Sequence, residues 1–427
     1  MTNIDSILKE VLEKVNPSEE ELNSIGSFLK GFIAEFEKKL KGNKISAEVF
    51  VGGSFAKKTL IKKGQYDIDI FVRFDEKHKQ EDISKLTEKA LKEMRRRIIK
   101  IHGSRDYFRI DVNPVFFIEI IPVIKVKNPK NAENITDLSY FHVNYIKKKL
   151  KTEKMFEEIR LAKAFCHANK CYGAESYING FSGYALELLV YYYKGFLKFV
   201  KAMAKIEGKE LIDIEKLYKS KYEIAMNMNS AKMTSPIVLI DPTYKERNAL
   251  AALSSRTFME FQKACREFLK NPSQKSFELK ETDLGKIKEN AKKSKAEFIL
   301  ISAETDKQEG DVAGSKLVKF YRHLSNEIEK LYKVTSKGFD YKGNKEAELF
   351  FVAKSKGEII QAGPNIKDKE NAGVFKKHHK TTFVKGNRIY ARDKINKKIE
   401  QFIKEWKSDN HKKMKEMHIT KLEIIKI

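Results

Sequence analysis

Residues 52–74 read GGSFAKKTLIKKGQYDIDIFVRF, and this stretch decides the fold of the N-terminal part of the chain. Its second half is an apolar run that favours a β-strand, and Asp67 and Asp69 lie two residues apart within it. Side chains alternate along a strand, so both carboxylates face the same side of the sheet. Two like charges on a half-buried surface repel each other, and a hard divalent cation with oxygen ligands relieves that repulsion. The pattern therefore predicts a cation site, for which Mg²⁺ fits best.

The first half of the same stretch predicts a phosphate-binding turn. Gly52 and Gly53 permit a tight turn, and the segment that opens at Ser54 directs a hydroxyl and backbone N–H groups toward a phosphate, with Lys57 close by. Such a turn directly before a pair of aspartates is typical of enzymes that transfer a nucleotidyl group with two metal ions. Each motif alone is weaker, because an isolated Asp-x-Asp on a strand is more often a charge pair at a sheet edge.

The composition predicts a polyanionic partner. The 427-residue chain carries 85 Lys and Arg against 59 Asp and Glu, a net charge of +26. Such an excess favours nucleic acid, with an anionic membrane surface as the second choice. No apolar run approaches the ~20 residues of a membrane span and no signal-peptide pattern is present, so we expect a cytoplasmic protein without a membrane partner. The cysteines 166, 171 and 265 fit neither a disulfide set nor a zinc pattern and predict reduced thiols.

Residues 107–126 predict further strands and contain two candidates for a third carboxylate, Asp111 in RIDVNP and Glu119 in FIEIIP. A two-metal site needs a third acidic ligand, since one pair cannot ligate both ions and also hold the attacking hydroxyl. Glu119 lies among apolar residues, where an unpaired acid is costly, whereas Asp111 lies beside a turn signal and is easily solvated. We therefore favour Glu119 and keep Asp111 as the alternative.

Hydrophobic periodicity predicts the elements around these motifs. In the first part of the chain it predicts two helices over residues 3–41 that back the sheet, a strand over 47–51, an amphipathic helix over 81–102, and a turn at 241–242 that opens a helix. After a lysine-rich junction at 268–295 it predicts a separate α+β unit, with strands at 297–302, 348–353 and 358–361, a helix at 317–331, and a lysine-rich helix and tail at 393–427.

An ordered set of motifs resembles a known family. The stretches GSFAKKT, DIDIF, IEIIP, YFHVNYI, IRLAKAF, CYGAESYINGFSGYALELL, IDPTYKERNALAALS, GPNIKDKENAGVFKKHHK and GNRIYARD are similar in order and spacing to the archaeal (class I) CCA-adding enzymes, which are tRNA nucleotidyltransferases. The resemblance implies that the metal-binding carboxylates are Asp67, Asp69 and Glu119. It further implies a set of nucleotide-binding residues, in which the triphosphate is held by Ser54, Lys57, Ser139, His142, Lys163 and Tyr172, and the base is read by Arg247 and Asn248.

The resemblance also implies the fold and the reaction. We expect an α+β multidomain chain with a nucleotidyltransferase (polymerase β-like) palm over residues 1–135, a helical central domain over 136–265, and an α+β C-terminal domain that binds tRNA over 266–427. The implied reaction is untemplated addition of C, C and A to the 3′ end of tRNA from CTP and ATP, with release of pyrophosphate and with Mg²⁺ as cofactor. The expected partners are tRNA, the two nucleotides, and a second copy of the chain in a homodimer.

Without the resemblance, several of these residues fit a purely structural role as well. His142 alone is typical of the edge of a core, and Arg247 of a solvated surface. The cluster of Lys376, Lys377 and Lys380 suits an RNA backbone, and it suits a solvated basic face equally well. The alternative functions are a poly(A) polymerase or oligoadenylate synthetase-like enzyme, and a catalytically inactive RNA-binding protein with the same palm.

Overall fold

The computed structural model describes residues 3–103 and 105–426, and the chain divides into one unit up to Lys280 and a second unit from Glu281. The helices are α1 (Asn3–Val15), α2 (Glu19–Gly42), α3 (Gly53–Ala56), α4 (Gln80–Lys92), α5 (Ser139–Lys149), α6 (Glu153–Ala168), α7 (Gly183–Tyr193), α8 (Phe196–Lys205), α9 (Lys221–Asn227), α10 (Ser255–Lys270), α11 (Leu284–Lys293), α12 (Asp311–Leu331), α13 (Lys369–His378), α14 (Ile399–Asp409) and α15 (His411–Glu416). The strands are β1 (Ala47–Val51), β2 (Tyr66–Phe74), β3 (Ile99–Ile101), β4 (Tyr107–Asp111), β5 (Phe116–Ile124), β6 (Glu210–Ile212), β7 (Ile237–Asp241), β8 (Tyr244–Asn248), β9 (Glu297–Thr305), β10 (Tyr332–Tyr341), β11 (Glu346–Ser355), β12 (Glu358–Asn365), β13 (Thr382–Lys385), β14 (Arg388–Lys394) and β15 (Ile419–Ile425).

The first unit begins with a mixed sheet of strand order β1-β2-β5-β4-β3, in which β2 and β5 are parallel. One face of this sheet is buried, because Ile68 and Ile70 on β2 and Ile118 and Ile120 on β5 pack with the apolar stripe of α2. Because side chains alternate along a strand, the residues that lie between these isoleucines in the sequence point to the opposite face. The sheet therefore has an apolar back and a polar front.

The predicted break between the first two helices is confirmed, but the predicted role of α1 is wrong. Ser18 caps α2 with a capping box, in which its side chain accepts from Glu21 N and Glu21 accepts from the Ser18 backbone. Helix α1 does not back the sheet. Its buried residues Leu8 and Val11 pack instead in the helical core that contains α6, because Asn16-Pro17 redirects the chain before α2 begins.

That helical core forms the rest of the first unit. Helices α6, α7, α8 and α10 pack around a cluster of aromatic rings, which includes Phe165, Phe181 and Phe261. A small sheet of order β6-β7-β8 lies in the same part of the chain. This region supplies the side chains that meet the polar front of the palm sheet.

Two predicted helices of the first unit are partly wrong. The helix predicted over residues 81–102 ends at Lys92, and Ile99–Ile101 form the edge strand β3, because this short β-branched segment pairs with β4. The turn at Asp241-Pro242 exists, but it closes a β-hairpin instead of opening a helix. Strand β8 pairs antiparallel with the fully buried strand β7, which places Arg247 and Asn248 on a strand.

The second unit is an α+β unit built on a sheet of order β10-β11-β9-β15. Helix α12 contributes the predicted stripe, in which Leu317, Leu324 and Ile328 are buried. A second sheet, β12-β14-β13, adjoins α13. The prediction of a helix and tail over 393–427 is wrong at its end, since β15 pairs with β9 and thereby completes the first of these sheets.

The predicted α+β multidomain class is confirmed by these two units. Across residues 3–103 and 105–426, no helix is both long enough and apolar enough to span a membrane.

Candidate active site

The predicted carboxylates lie side by side on the polar front of the palm sheet. The parallel register pairs Asp69 on β2 directly with Glu119 on β5, and it pairs Asp67 with Phe117. Paired residues of neighbouring strands point to the same face at a spacing of about 4.8 Å between strands. Asp67, Asp69 and Glu119 therefore share one surface, which we call the carboxylate face.

The register also separates the two candidates for the third carboxylate. On β4, Arg109 pairs with Glu119, while Asp111 pairs with Phe117 and so lies two strands away from Asp67. Asp111 is 52% exposed and accepts a hydrogen bond from Arg109 Nε at 2.7 Å. Glu119 is thus the nearer neighbour of the aspartate pair, which supports our preference for it over Asp111.

The carboxylate face suits a hard divalent cation. Burial, and then the neighbouring charge of Asp67, raise the pKa of Asp69 to about 7, while Lys57, Lys63 and Lys163 act against this shift. A cation between the aspartates would relieve the same repulsion. Within the described ranges, no three His, Cys, Asp or Glu side chains are already gathered around one metal position. The donor set still fits Mg²⁺, because this ion is usually bound by one or two carboxylates together with substrate phosphates.

The glycine turn lies against the carboxylate face. Gly52 N donates to the backbone oxygen of Asp69 at 2.9 Å, and Gly53 follows with a φ of +58°. A Cβ atom on Gly53 would lie 1.7 Å from Oδ2 of Asp69, so only glycine allows this approach. Ser54 follows within α3, as the sequence predicted for a residue at the junction between a strand and a helix.

Behind this turn the structure brings two predicted phosphate ligands together through a residue that the sequence analysis missed. Lys57 Nζ donates to Glu187 Oε2 at 2.7 Å, and Lys163 Nζ donates to Glu187 Oε1 at 2.9 Å. Thr59 Oγ1 donates to Glu187 Oε1 at 2.7 Å. All four residues are buried. We call this set the lysine cluster (Lys57, Thr59, Lys163 and Glu187).

The charges of the lysine cluster are set by a balance of burial and pairing. Burial acts to raise the pKa of Glu187, but the ammonium groups of Lys163 and Lys57 prevail and hold it at about 2. Burial lowers the pKa of Lys163 to about 8, although Glu187 acts to raise it. Two cations therefore share one carboxylate, which leaves an excess of positive charge close to the carboxylate face.

A second buried cluster joins two of the remaining predicted residues, His142 and Arg247, through Asp241. Its Oδ2 accepts from His142 Nε2 at 3.0 Å and from Arg247 Nη1 at 2.6 Å, and its Oδ1 accepts from the Tyr184 hydroxyl at 3.0 Å. The imidazole of His142 stacks on the Tyr184 ring with centroids 4.0 Å apart. Ser139 lies one helical turn before His142 on α5, so both face the same way.

Arg247 and Asn248 face different environments. Arg247 is 17% exposed, and its Nε is buried without a hydrogen-bond partner among the described residues. Asn248 is buried, and its carboxamide bonds backbone groups: Oδ1 accepts from Leu239 N and Leu250 N, and Nδ2 donates to Lys232 O. Alternation on β8 explains this difference. Arg247 is therefore the member of the pair with side-chain atoms left to contact a base.

Tyr172 lies beside the lysine cluster, whereas the predicted RNA-binding lysines belong to the second unit. The Tyr172 hydroxyl lies 2.9 Å from where a Cβ on Gly183 would stand, at the N-terminus of α7 and beside Lys163. Lys376 and Lys377 end α13, and Lys380 follows in the next loop; all three are exposed. No contact in the structure tests whether these lysines bind RNA.

A cavity of about 840 Å³ lies on the other side of α3. It is lined by apolar residues such as Phe50, Phe55 and Val143, with Arg160 at its wall. Arg160 already donates to Glu153 at 2.9 Å and to the backbone oxygen of Lys58 at 2.9 Å. The second of these hydrogen bonds stabilises the segment that follows α3. The carboxylates and the lysine cluster do not line this cavity.

The sequence contained a signal for Glu187 and Asp241, the two buried acids that we did not predict as part of the site. Glu187 is the one acid in the otherwise apolar stretch GYALELLVYYY, and Asp241 ends the apolar run IVLID. An acid at a core position requires a buried partner. The pattern therefore indicates that each residue is paired, although it cannot name the partner.

Comparisons with known proteins find nucleotidyltransferase models in two parts of the first unit. A family model described as a nucleotidyltransferase domain matches residues 29–137, and a model described as the second domain of tRNA nucleotidyltransferase matches residues 157–278. Among curated relatives, the CCA-adding enzyme of Nanoarchaeum equitans is 44% identical over 211 residues, which cover 49% of this chain and 52% of that protein. The CCA-adding enzyme of Archaeoglobus fulgidus is 31% identical over 63% of this chain and 57% of that protein.

These first two matches span little more than half the length of each relative. A longer match, to the CCA-adding enzyme of Methanocaldococcus jannaschii, covers 91% of this chain and 87% of that protein at 27% identity. Among solved structures, the Cid1 RNA terminal uridylyl transferase superposes with a TM-score of 0.52 at 14% identity, over 66% of this chain and 99% of that chain. This last similarity shows a shared fold.

Proposed function

We propose that the chain is a tRNA nucleotidyltransferase related to the archaeal CCA-adding enzymes and that it adds C, C and A to the 3′ end of tRNA. The nucleotides come from CTP and ATP without a nucleic-acid template, and pyrophosphate is released. The observation that carries the proposal is the direct pairing of Asp69 with Glu119 on a face that also meets the lysine cluster.

Each part of the site has a task in this reaction. Asp67, Asp69 and Glu119 would hold Mg²⁺, which when bound stabilises negative charge on the attacking and leaving oxygens. Lys57 binds the triphosphate by charge-assisted hydrogen bonds, and Lys163, whose Nζ already donates to Thr59 and Glu187, contributes its positive charge. The 3′ hydroxyl of tRNA attacks the α-phosphate, and the bond to the β-phosphate breaks.

Arg247 is the residue that we propose reads the base. Cytosine and adenine both present a ring acceptor beside an amino donor, whereas uracil and guanine present an N–H beside a carbonyl. A guanidinium donates to the ring acceptor of C or A, but it faces a donor on U or G and leaves polar groups unpaired, at about 1–3 kcal/mol each. Asp241 holds Arg247 through Nη1, which fixes the direction of its other N–H groups.

Binding of tRNA involves both units in this proposal. The net charge of +26 favours attraction to the phosphate backbone, and Lys376, Lys377 and Lys380 lie exposed in the second unit. We further propose that the protein works in the cytoplasm and that it forms a homodimer. Light scattering of the purified protein tests the homodimer directly.

The deciding experiment incubates tRNA that lacks its terminal CCA with the protein, MgCl₂ and defined nucleotides. With CTP alone we expect two added nucleotides, and with CTP plus ATP we expect three. Asp69→Asn serves as the inactive control, which must still bind tRNA. Incorporation of AMP alone would instead indicate a poly(A) polymerase, and no metal-dependent product with any nucleotide would indicate an inactive RNA-binding protein.

A further inference from the structure

Glu187 holds two lysines with one carboxylate at the centre of the first unit. Its Oε2 accepts from Lys57, which follows α3, and its Oε1 accepts from Lys163 on α6. The hydroxyl of Thr59 donates to the same Oε1 and accepts from Lys163 at 2.7 Å. Lys57 and Lys163, which lie 130 and 24 positions from Glu187 in the sequence, are thereby held in place relative to each other.

Stability alone does not explain this arrangement. Desolvating ionised side chains costs several kcal/mol per ion, and a buried ion pair is often no more stable than apolar residues of the same volume. Within the cluster one carboxylate compensates only one of the two ammonium charges, and the other charge acts on Asp67 and Asp69 of the neighbouring carboxylate face. Once a divalent cation neutralises those aspartates, the remaining ammonium charge favours a polyanion.

We propose that Glu187 is a positioning residue for the reaction proposed above: it holds the ammonium group of Lys57 in the place where it receives the triphosphate of the incoming nucleotide. Lys163 supports this arrangement from inside the cluster, because its Nζ already donates to Thr59 O, to Thr59 Oγ1 and to Glu187. The inference rests on the proposed function only for the identity of that nucleotide. A lysine whose rotamer is already fixed loses little conformational entropy when phosphate binds. Glu187 itself does not contact the substrate.

The same carboxylate keeps Lys163 charged. Lys163 is fully buried, and its pKa of about 8 already reflects the support of Glu187. Removal of that negative charge lowers the pKa of Lys163 further. The titratable and charged groups that face Lys163 are Glu187 on α7, Lys57 after α3, Asp67 and Asp69 on β2, and Tyr172 before α7.

The test measures the binding of inorganic tripolyphosphate to the full chain in EDTA, by calorimetry, for wild type and Glu187→Gln. We expect at least about tenfold weaker binding for Glu187→Gln at pH 7.5, equivalent to the loss of one charge-assisted contact. Comparing the two proteins at the same pH cancels the protonation of the probe itself.

Glu215→Gln is the matched control, because Glu215 also joins a lysine to a hydroxyl. It pairs with Lys149 at 2.7 Å and accepts from the Tyr145 hydroxyl at 2.5 Å, outside the lysine cluster. We expect its affinity for tripolyphosphate to equal that of wild type. Steady-state kinetics should show a raised KM for CTP and ATP in Glu187→Gln, with an unchanged KM for tRNA.

Failure of this inference and failure of the proposed function give different results. If wild type elongates tRNA and Glu187→Gln binds tripolyphosphate as tightly as wild type, Glu187 is only a structural pair. If wild type binds tripolyphosphate and Glu187→Gln does not, but no nucleotide is added to tRNA, the inference stands and the function is wrong. Absence of binding by wild type also overturns the inference.

Glu187→Asp covers the case in which Glu187→Gln does not fold. This substitution keeps the negative charge but shortens the side chain by one methylene group, so that the carboxylate cannot hold both lysines at their present positions. We expect a tripolyphosphate affinity between those of wild type and Glu187→Gln. Wild-type affinity and wild-type KM in this variant would contradict the role in positioning.

Discussion

Substitution of Gly53 by Ala tests the contact between the glycine turn and the carboxylate face. A Cβ atom at Gly53 would lie 1.7 Å from Oδ2 and 2.7 Å from Cγ of Asp69. Non-bonded atoms pack at roughly 3.5 Å, so the carboxylate must retreat by about 1.5 to 2 Å. The change therefore moves a proposed metal ligand without removing it.

The expected effects on rate and stability differ in size. Misplacement of a reacting group by about 1 Å costs roughly 10²-fold in rate, which corresponds to about 2.7 kcal/mol of activation free energy. The left-handed backbone conformation of residue 53 lowers the free energy of unfolding by about 1–2 kcal/mol once a Cβ is present. We thus expect kcat to fall at least about 100-fold in a protein that still folds and binds tRNA.

Gly208→Ala is the matched control for backbone strain. Gly208 has a φ of +73°, and a Cβ there meets nothing within 4 Å. Both variants should lose similar unfolding free energy in urea, whereas only Gly53→Ala should lose single-turnover addition of CMP to tRNA. Should the two variants react at rates within about threefold of each other, the turn does not set the position of Asp69 and the proposed geometry of the site is wrong.

The remaining predictions concern the third carboxylate, base choice and tRNA binding. Glu119→Gln should lower the rate of addition by orders of magnitude and Asp111→Asn should not; the reverse result would assign the third ligand to Asp111. Arg247→Ala should lower kcat/KM for CTP and ATP and narrow their advantage over UTP and GTP, whereas an equal loss for all four nucleotides would show that Arg247 does not read the base. A chain that ends at residue 280 should bind tRNA more weakly than the full chain and with a smaller salt dependence in filter binding, and equal affinities would show that the Lys376 to Lys380 cluster is only a solvated face.

Local patterns in the sequence were sufficient for the palm strand and its turn. The period of two places Asp67 and Asp69 on one face, and the strand appears over Tyr66–Phe74 as expected. Glycine at position 53 has a backbone conformation with a positive φ, in line with the tight turn that the Gly-Gly signal predicts, whereas its close approach to Asp69 is seen only in the structure. These features depend on neighbours in sequence, so the sequence alone predicts them.

Local patterns failed where pairing between strands decided the structure. Residues 99–101 and 244–248 became strands because each found a partner strand nearby in the sequence, and residues 419–425 did so by pairing with β9 more than 100 positions earlier. Pairing with another strand overrides a weak local preference for helix or loop. Domain limits and the RNA-binding lysines stay predictions, since no contact in the structure tests them.

The sequence by itself determined which residue types the site contains: paired aspartates on a strand, a glycine turn before them, and lysines within an ordered set of motifs. Only the tertiary structure decided how they are joined. Glu187 meets Lys57 across 130 positions, and Asp241 meets His142 across 99, so neither contact follows from spacing. The physical reason is that a buried charge must find its partner in space, and the fold, which brings distant segments together, chooses that partner.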